Sequence, residues 1–586
     1  MKFDVKIIIV LALAMLMLMG TLPSTASAAP AEGTWDGGAA IQRSLRNGGD
    51  PHVAQSANGN KMAVWTETNE TYDSLICYSM FTPETGWSWP EVLDSAIWGD
   101  YVAAAQVGMS DNGSAVVSWL KSTTEQHLLS RTFTPGIGWS DIFDHGITSS
   151  YGWRAYRLAV NGNGEALLAH QSSNSTANGI EIWTCSTGIG WEAEVLQSVP
   201  KNESFFATHL TLSESGRAAA SWLYTNSTSH VMVSTRTMAG VWAAPTEIDE
   251  VAFTFSIWVG VDDSTGEFMA TWLKYISPYT STYYSVTVGG VWSTPQPVAG
   301  INNTYAWESK MVMNSEGKAM VVTTDQVGPI WLVNATMYDD GTWTPMITLE
   351  DNTTGMFYPE LAIDELGRAV VTWSPIESGR LAATYTPETG WSEVVSVGSN
   401  TVGSTYSVGS LSLESGSVLV GYCAYNSVNT IWVSTLSFPD TAPPVLQVDQ
   451  ASTATDRPLF EITGTTEPGA TVDVNGRSAA VTTSGEFSVL VELDDGANVL
   501  LVTARDEAGN SANASLTVTY NDPVPGLKDT IDDQQGALDQ LQDDLDAANE
   551  EIASVGSTAM IMGILGIVGL VVAVVALVLV FLRRKG

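Results

Sequence analysis

Gly33-Thr34-Trp35, with the short alternating run that follows it to Ile41, is a fragment of something repeated. Similar pairs recur at Trp87, Trp139, Trp191, Trp242, Trp292, Trp343 and Trp391, each with Gly one or two places before. A second marker is a glycine at 59, 113, 164, 216, 266, 317, 367 and 416. Six residues after each stands Trp65, Trp119, His170, Trp222, Trp272, Thr323, Trp373 or Tyr422. The residues between alternate small or apolar, as in Lys61-Met62-Ala63-Val64-Trp65. Period-2 alternation after a glycine-containing turn predicts a β-hairpin. Eight glycines and eight Gly-Trp signals match only if Trp35 belongs to the last unit, which ends at Phe438 without a Gly-Trp of its own.

Units spaced 48 to 54 residues apart suit four-stranded blades. The fold expected is therefore all-β. It is an eight-bladed β-propeller over 29–438, closed by an N-terminal strand, then an Ig-like β-sandwich, a short coiled-coil helix and one transmembrane helix. Blade one is placed at His52–Ala57, Lys61–Thr66, Leu75–Phe81 and Trp87–Leu93. Blade eight takes Leu411–Ser437 and borrows its outer strand from Trp35–Ile41, which removes an exposed sheet edge. The repeated Trp positions are read as packing between neighbouring sheets.

Composition agrees. The chain of 586 residues is 15% charged and 9% aromatic, with 21 Trp and 52 Gly, which suits a turn-rich β protein. A net charge of −39 excludes nucleic acid as a partner, because phosphate binding needs basic residues that are scarce here. Cys77, Cys185 and Cys423 sit in strands of different repeats, and none has a CxxC neighbour, so buried free thiols are expected.

Both ends read as address labels. Lys2 and Lys6 precede an apolar run from Ile7 to Met19 and the small residues Ala26-Ser27-Ala28, so 1–28 is expected to be a signal peptide. Ala559 to Leu582 carries no charge and is followed by Arg583-Arg584-Lys585. A transmembrane helix over 559–582 with a cytoplasmic tail over 583–586 is expected, which places the body outside the cell membrane on a single span. The ending resembles a Gram-positive cell-wall sorting signal but has no LPxTG motif ahead of the span, so the helix is expected to stay as the anchor.

Residues 439–444 form a Pro-rich linker. Beyond it, Gly464-Thr465-Thr466-Glu467-Pro468-Gly469-Ala470 and later Ala504-Arg505-Asp506-Glu507-Ala508-Gly509-Asn510 stand in an all-β run over 445–521. This run resembles bacterial-type Ig-like modules of surface proteins, and the resemblance implies a β-sandwich spacer or adhesion module. From 527 to 555, Ile531, Leu538, Leu545 and Ile552 recur every seven residues. They predict a helical stalk, either a coiled coil joining two chains into a homo-oligomer or a lone acidic helix.

The repeats are similar to sialidase-like propellers, whose blades carry an Asp box between the outer strands. Here that turn reads Thr82-Pro83-Glu84-Thr85-Gly86-Trp87, without Asp-x-Gly. The arginine triad has only Arg154 and Arg157 as nearby candidates. The resemblance implies the architecture of an archaeal or bacterial surface protein without the catalytic residues.

Candidate ligand-binding residues come from the loops that enter each blade: Trp98, Tyr101, Tyr151, Trp153, Phe206, Tyr305, Trp307 and Tyr358. Such a ring of aromatics either stacks on sugars and peptides or caps the core beneath. Sequons for glycosylation stand at Asn69, Asn112, Asn174, Asn202, Asn226, Asn302, Asn334, Asn352 and Asn513. The sequence holds no HExxH, GxSxG or P-loop, and no spacing that marks a calcium loop. No cofactor, metal or catalytic residue is expected. The function expected is that of a surface glycoprotein binding carbohydrate or protein in adhesion. The alternatives are a membrane-anchored enzyme acting on polysaccharide and a structural component of the cell envelope.

Overall fold

The computed structural model describes residues 35–554 together with 568–575 and 577. Within that range it leaves out single positions and short stretches, chiefly 149–155, 187–189, 299–304, 376–378, 398–409 and 522–526. The expected signal peptide and most of 559–582 lie outside the described residues. The chain divides into two compact units at Pro439/Asp440.

The first repeat shows how the sequence makes a sheet. Asn47–Gln55, Lys61–Thr68 and Ser74–Thr82 form an antiparallel meander. The turn between the first two strands contains Gly59, and all eight marker glycines hold φ between 76° and 86°. Side chains rarely tolerate that region, which is why the glycine recurs. The outer strand is broken into Gly86–Trp87 and Glu91–Ala96, both paired with Ser74–Thr82. Pro90 stands in the gap, and Pro245, Pro295 and Pro345 follow later Gly-Trp markers in the same way. A residue without an N–H interrupts the ladder there.

In the last sheet Ser410–Glu414, Ser417–Asn426 and Val428–Ser437 come from the end of the first unit. The fourth strand, Ala39–Ala40, comes from its beginning, with Ala39 opposite Val433 and Ala40 opposite Trp432. The Asp36 carboxylate accepts from Ser434 Oγ at 2.8 Å and Thr435 Oγ1 at 2.7 Å, and these bonds hold its pKa down against the effect of burial.

Neighbouring sheets pack face to face. Trp119 is fully buried among Met62 and Val64 of the preceding sheet, and Trp65 lies with Leu419, Cys423 and Ile431 of the last. Trp65, Trp119, Trp222, Trp272 and Trp373 all have no exposed surface. Burying such a side chain stabilises by roughly 4–6 kcal/mol as an upper figure. Three of these indoles reach back to the outer strand of the previous sheet. Trp119 Nε1 donates to Asp94 at 2.8 Å, Trp222 to Gln197 at 2.6 Å and Trp272 to Asp249 at 2.9 Å. Cys77 and Cys423 are buried thiols outside any disulfide, Cys423 donates to the Gly48 carbonyl at 3.5 Å, and burial pushes the Cys423 thiol up to about 12.

Two parts of the expected fold are corrected. First, no sheet closes on itself. Among the described residues the first unit holds seven separate sheets, and one of ten strands contains two repeats joined by the parallel bridge Thr280↔Tyr305. Elsewhere each ladder ends at its outer strand, and neighbouring repeats meet largely through side chains, in a propeller-like arrangement of all-β sheets. Second, among the described residues no helix is long and apolar enough to cross a membrane. The long helix that is described, Leu527–Ser554, is rich in Asp and Glu, and its Ile531, Leu538 and Leu541 are exposed.

In the second unit two sheets enclose one core. Leu446–Val448, Leu459–Thr466, Glu486–Glu492 and Ala480–Val481 form the first. Thr453–Thr455, Ser511–Tyr520, Gly496–Arg505, Thr471–Val474 and Arg477–Ser478 form the second. Ile462, Phe487 and Val489 of one meet Val472, Val502 and Val518 of the other, following the alternation expected of half-buried strands.

Candidate functional site

The first strand of every repeat faces one cavity of about 270 Å³ in the first unit. One register position supplies a residue from each, the one paired with the residue just before Trp65 or its counterpart in the other repeats. His52 lies opposite Val64, Gln106 opposite Ser118, Arg157 opposite Ala169 and His209 opposite Ser221. Trp258 lies opposite Thr271, Lys310 opposite Val322, Glu360 opposite Thr372 and Ser410 opposite Gly421. All eight line the cavity, and all but Trp258 are polar or titratable on strands that are otherwise largely apolar.

Four of the eight bind the next sheet. Each accepts from the backbone N–H that follows the equivalent residue there. Ser410 Oγ accepts from Val53 at 3.1 Å, His52 Nδ1 from Val107 at 3.3 Å, Gln106 Oε1 from Leu158 at 3.0 Å and His209 Nδ1 from Val259 at 3.3 Å. Arg157, Trp258 and Lys310 have no side-chain acceptor and cannot make this bond. At their positions the ring presents donors.

The charges are arranged in pairs. Lys310 Nζ lies 2.7 Å from Glu360 and 3.7 Å from Glu308, with its side chain 9% exposed. Behind Glu360, Arg380 is fully buried and donates to Thr372 Oγ1 at 2.8 Å and Ser374 Oγ at 3.3 Å. Burial lowers its pKa to about 10, against the pull of Glu360 and Glu308. His52 is lowered to about 4 by burial and then by the Arg157 charge. His209 is held well below its ordinary value by burial, Arg157 and Lys310. Both imidazoles are therefore neutral near pH 7.

The backbone is strained at the same place. Asp50, Ala104, Ala207 and Tyr358 have φ of 47°, 54°, 53° and 55°, each at a bulge in an innermost strand and each lining the cavity or its smaller neighbour of about 100 Å³. Left-handed geometry at a non-glycine residue costs on the order of 1–2 kcal/mol, and such positions gather at functional sites. An aromatic wall completes the site. The Trp258 ring lies 4.3 Å from that of His209, and Lys310 Nζ lies 5.7 Å from its centroid. Trp307, 61% exposed, lines the smaller cavity and lies 5.6 Å from Trp331.

Comparisons with known proteins reach only part of this chain. A family model described as glucodextranase, domain B, matches residues 444–522. No curated protein matches the chain. Among solved structures, a protein of unknown function from Dyadobacter fermentans DSM 18053 is similar at 13% identity and a TM-score of 0.35, over 70% of this chain and 100% of its own. A polysaccharide lyase of family PL25, an ulvan lyase, is similar at 8% identity and a TM-score of 0.37, over 56% of this chain and 90% of its own. The NanB sialidase from Streptococcus pneumoniae is similar at 11% identity and 0.31, over 69% and 71%. At these scores the likenesses carry no argument about the site.

Of the aromatic residues expected to bind ligand, Trp307 and Tyr358 line the cavities. Tyr101, Phe206 and Tyr305 are exposed elsewhere. The Tyr101 hydroxyl accepts from Gln126 Nε2 at 2.7 Å, and Tyr305 packs on Tyr279 at 5.8 Å. Trp98, Tyr151 and Trp153 lie outside the described residues, as does Asn302. Asn112, Asn174, Asn202, Asn226 and Asn513 are exposed, and Asn69 is half-buried. Nothing is described of the Asn352 side chain. Asn334 departs from the expectation of a glycan site. It is 5% exposed within a strand and donates to buried Asp325 at 2.6 Å, which leaves no room for a sugar.

Sequence reading missed the eight-residue ring. Its signal is a polar residue 12 or 13 places before Trp65 and each of its counterparts except Trp272, on a strand that otherwise alternates apolar. His230, Glu247 and Glu250 bring potential metal-ligand atoms within 4.8 Å of one another. Both imidazole nitrogens there are already engaged, by Glu247 at 3.0 Å and Thr228 at 2.9 Å.

Proposed function

We propose that the first unit binds carbohydrate in its central cavity. The observation that carries this reading is the convergence of eight register-equivalent residues on one pocket that combines ring faces, N–H donors and carboxylates. Sugars are recognised by that mixture, with stacking on an aromatic face and fixed polar groups for the hydroxyls. A volume of about 270 Å³ suits one or two sugar rings at the end of a longer chain. The match of 444–522 to a domain of a glucodextranase supports the same direction.

The activity proposed is binding without turnover. A second reading, an enzyme acting on polysaccharide, is favoured by one observation: Tyr358 is held at φ 55° beside Glu308 and Glu360 in the same cavity. The test is to present the purified full chain with a panel of polysaccharides and score retention and product release together. Retention alone supports binding, released product supports the enzyme, and neither outcome on any glycan overturns both.

A further inference from the structure

The cavity is not uniform around its rim. On the side of Glu360, the cation Lys310 is already engaged by Glu360 and Glu308. On the side of the first, third and fourth repeats the groups are His52, Arg157 and His209, with Arg157 Nη1 donating to the Tyr156 carbonyl at 3.0 Å. The two imidazoles are oriented by the fold. Each Nδ1 accepts a backbone N–H of the next sheet, at 3.3 Å from Val107 and from Val259, so each ring carries its proton on Nε2. A ring held this way has only a donor left to offer.

We infer that His52, Arg157 and His209 form an anion subsite that takes the carboxylate or sulfate group of an acidic sugar. This rests on the carbohydrate reading above and names the substrate class for it. Three N–H-bearing groups border one cavity, and one of them carries a permanent positive charge. The imidazoles stay neutral because burial and the Arg157 charge hold their pKa down, so they donate without adding charge of their own. Asp50 lines the same cavity, and burial raises its pKa towards the uncharged form. Charge-assisted hydrogen bonds from a guanidinium are roughly twice as strong as neutral ones, so an acidic ring gains most here.

The test is calorimetric titration of the full chain with three probes of equal length: an oligoglucuronate, its carboxyl-reduced neutral counterpart, and that neutral oligosaccharide carrying sulfate. At least one acidic probe is expected to bind ten-fold or more tighter than the neutral one, and the better of the two identifies carboxylate or sulfate as the group taken. Arg157→Gln is expected to erase the preference while Arg157→Lys keeps part of it. Equal affinity for all three probes overturns the anion subsite and leaves carbohydrate binding standing. An acidic preference that survives in folded Arg157→Gln overturns it as well. If no probe binds and the polysaccharide panel is also silent, the carbohydrate reading falls and takes this inference with it. Should Arg157→Gln fail to fold, the comparison of the three probes on the natural chain decides alone.

Discussion

The backbone N–H of Val53 donates to Ser410 Oγ at 3.1 Å across 357 residues of sequence. It is the same bond that His52, Gln106 and His209 make to the sheets that follow theirs, here joining the last sheet to the first. One small side chain thus links the two ends of the first unit beside the Ala39–Ala40 pairing. Ser410→Ala leaves a buried N–H without a partner, which costs roughly 1–3 kcal/mol. Chemical denaturation of the variant checks this, and an unchanged midpoint would show that the bond contributes nothing.

Burial of His52 and His209 makes stability fall in acid. His52 has a folded pKa of about 4 against an ordinary value of 6.5, and His209 is also lowered. A lowered histidine binds fewer protons folded than unfolded between those values, so stability is whole above about pH 6.5 and declines towards pH 4. The groups that act on them are Arg157 for both and Lys310 for His209. Each histidine contributes a slope of up to about 1.4 kcal/mol per pH unit in that window. The double variant His52→Gln/His209→Gln keeps an acceptor, as Gln106 does naturally, and should reduce the dependence to the part that buried His145 and His170 supply, both lowered to about 3. Urea midpoints at pH 7, 6 and 5 measure it, and an equal slope in both proteins would contradict the assignment.

Lys310 is set between two carboxylates inside the cavity wall. Lys310→Met removes the cation and leaves Glu360 and Glu308 without it, at a cost of roughly 3–5 kcal/mol. Lys310→Met/Glu360→Leu removes one of the two stranded charges and should recover part of the loss. A double variant as unstable as the sum of the singles would mean that the pair is not coupled.

The repeat was legible because its signals are local. Gly59 and its seven counterparts need positive φ, and the buried Trp six residues on fills the gap between sheets, so both recur in the sequence. The chain-end pairing was legible by counting, since Phe438 ends a unit that lacks its outer Gly-Trp. The cavity was not legible in the same way. His52, Gln106, Arg157 and Lys310 share a register but not a residue type, so they make no motif, and only assembly brings them to one place. Aromatic content pointed to Trp307 and Tyr358 but equally to Tyr305, whose ring packs on Tyr279 instead. Apolar run length suggested a membrane span over 559–582, yet the long helix that is described is the acidic one before it.

The most direct measurement is the affinity of the full chain and of Trp307→Ala for the best glycan of the panel, read beside their melting temperatures. Trp307 is 61% exposed and lines the smaller cavity, which shares His209, Trp258, Lys310 and Tyr358 with the central one. The account predicts a loss of ten-fold or more in affinity with melting unchanged. Full affinity in Trp307→Ala, or no carbohydrate bound by the natural chain, would contradict it.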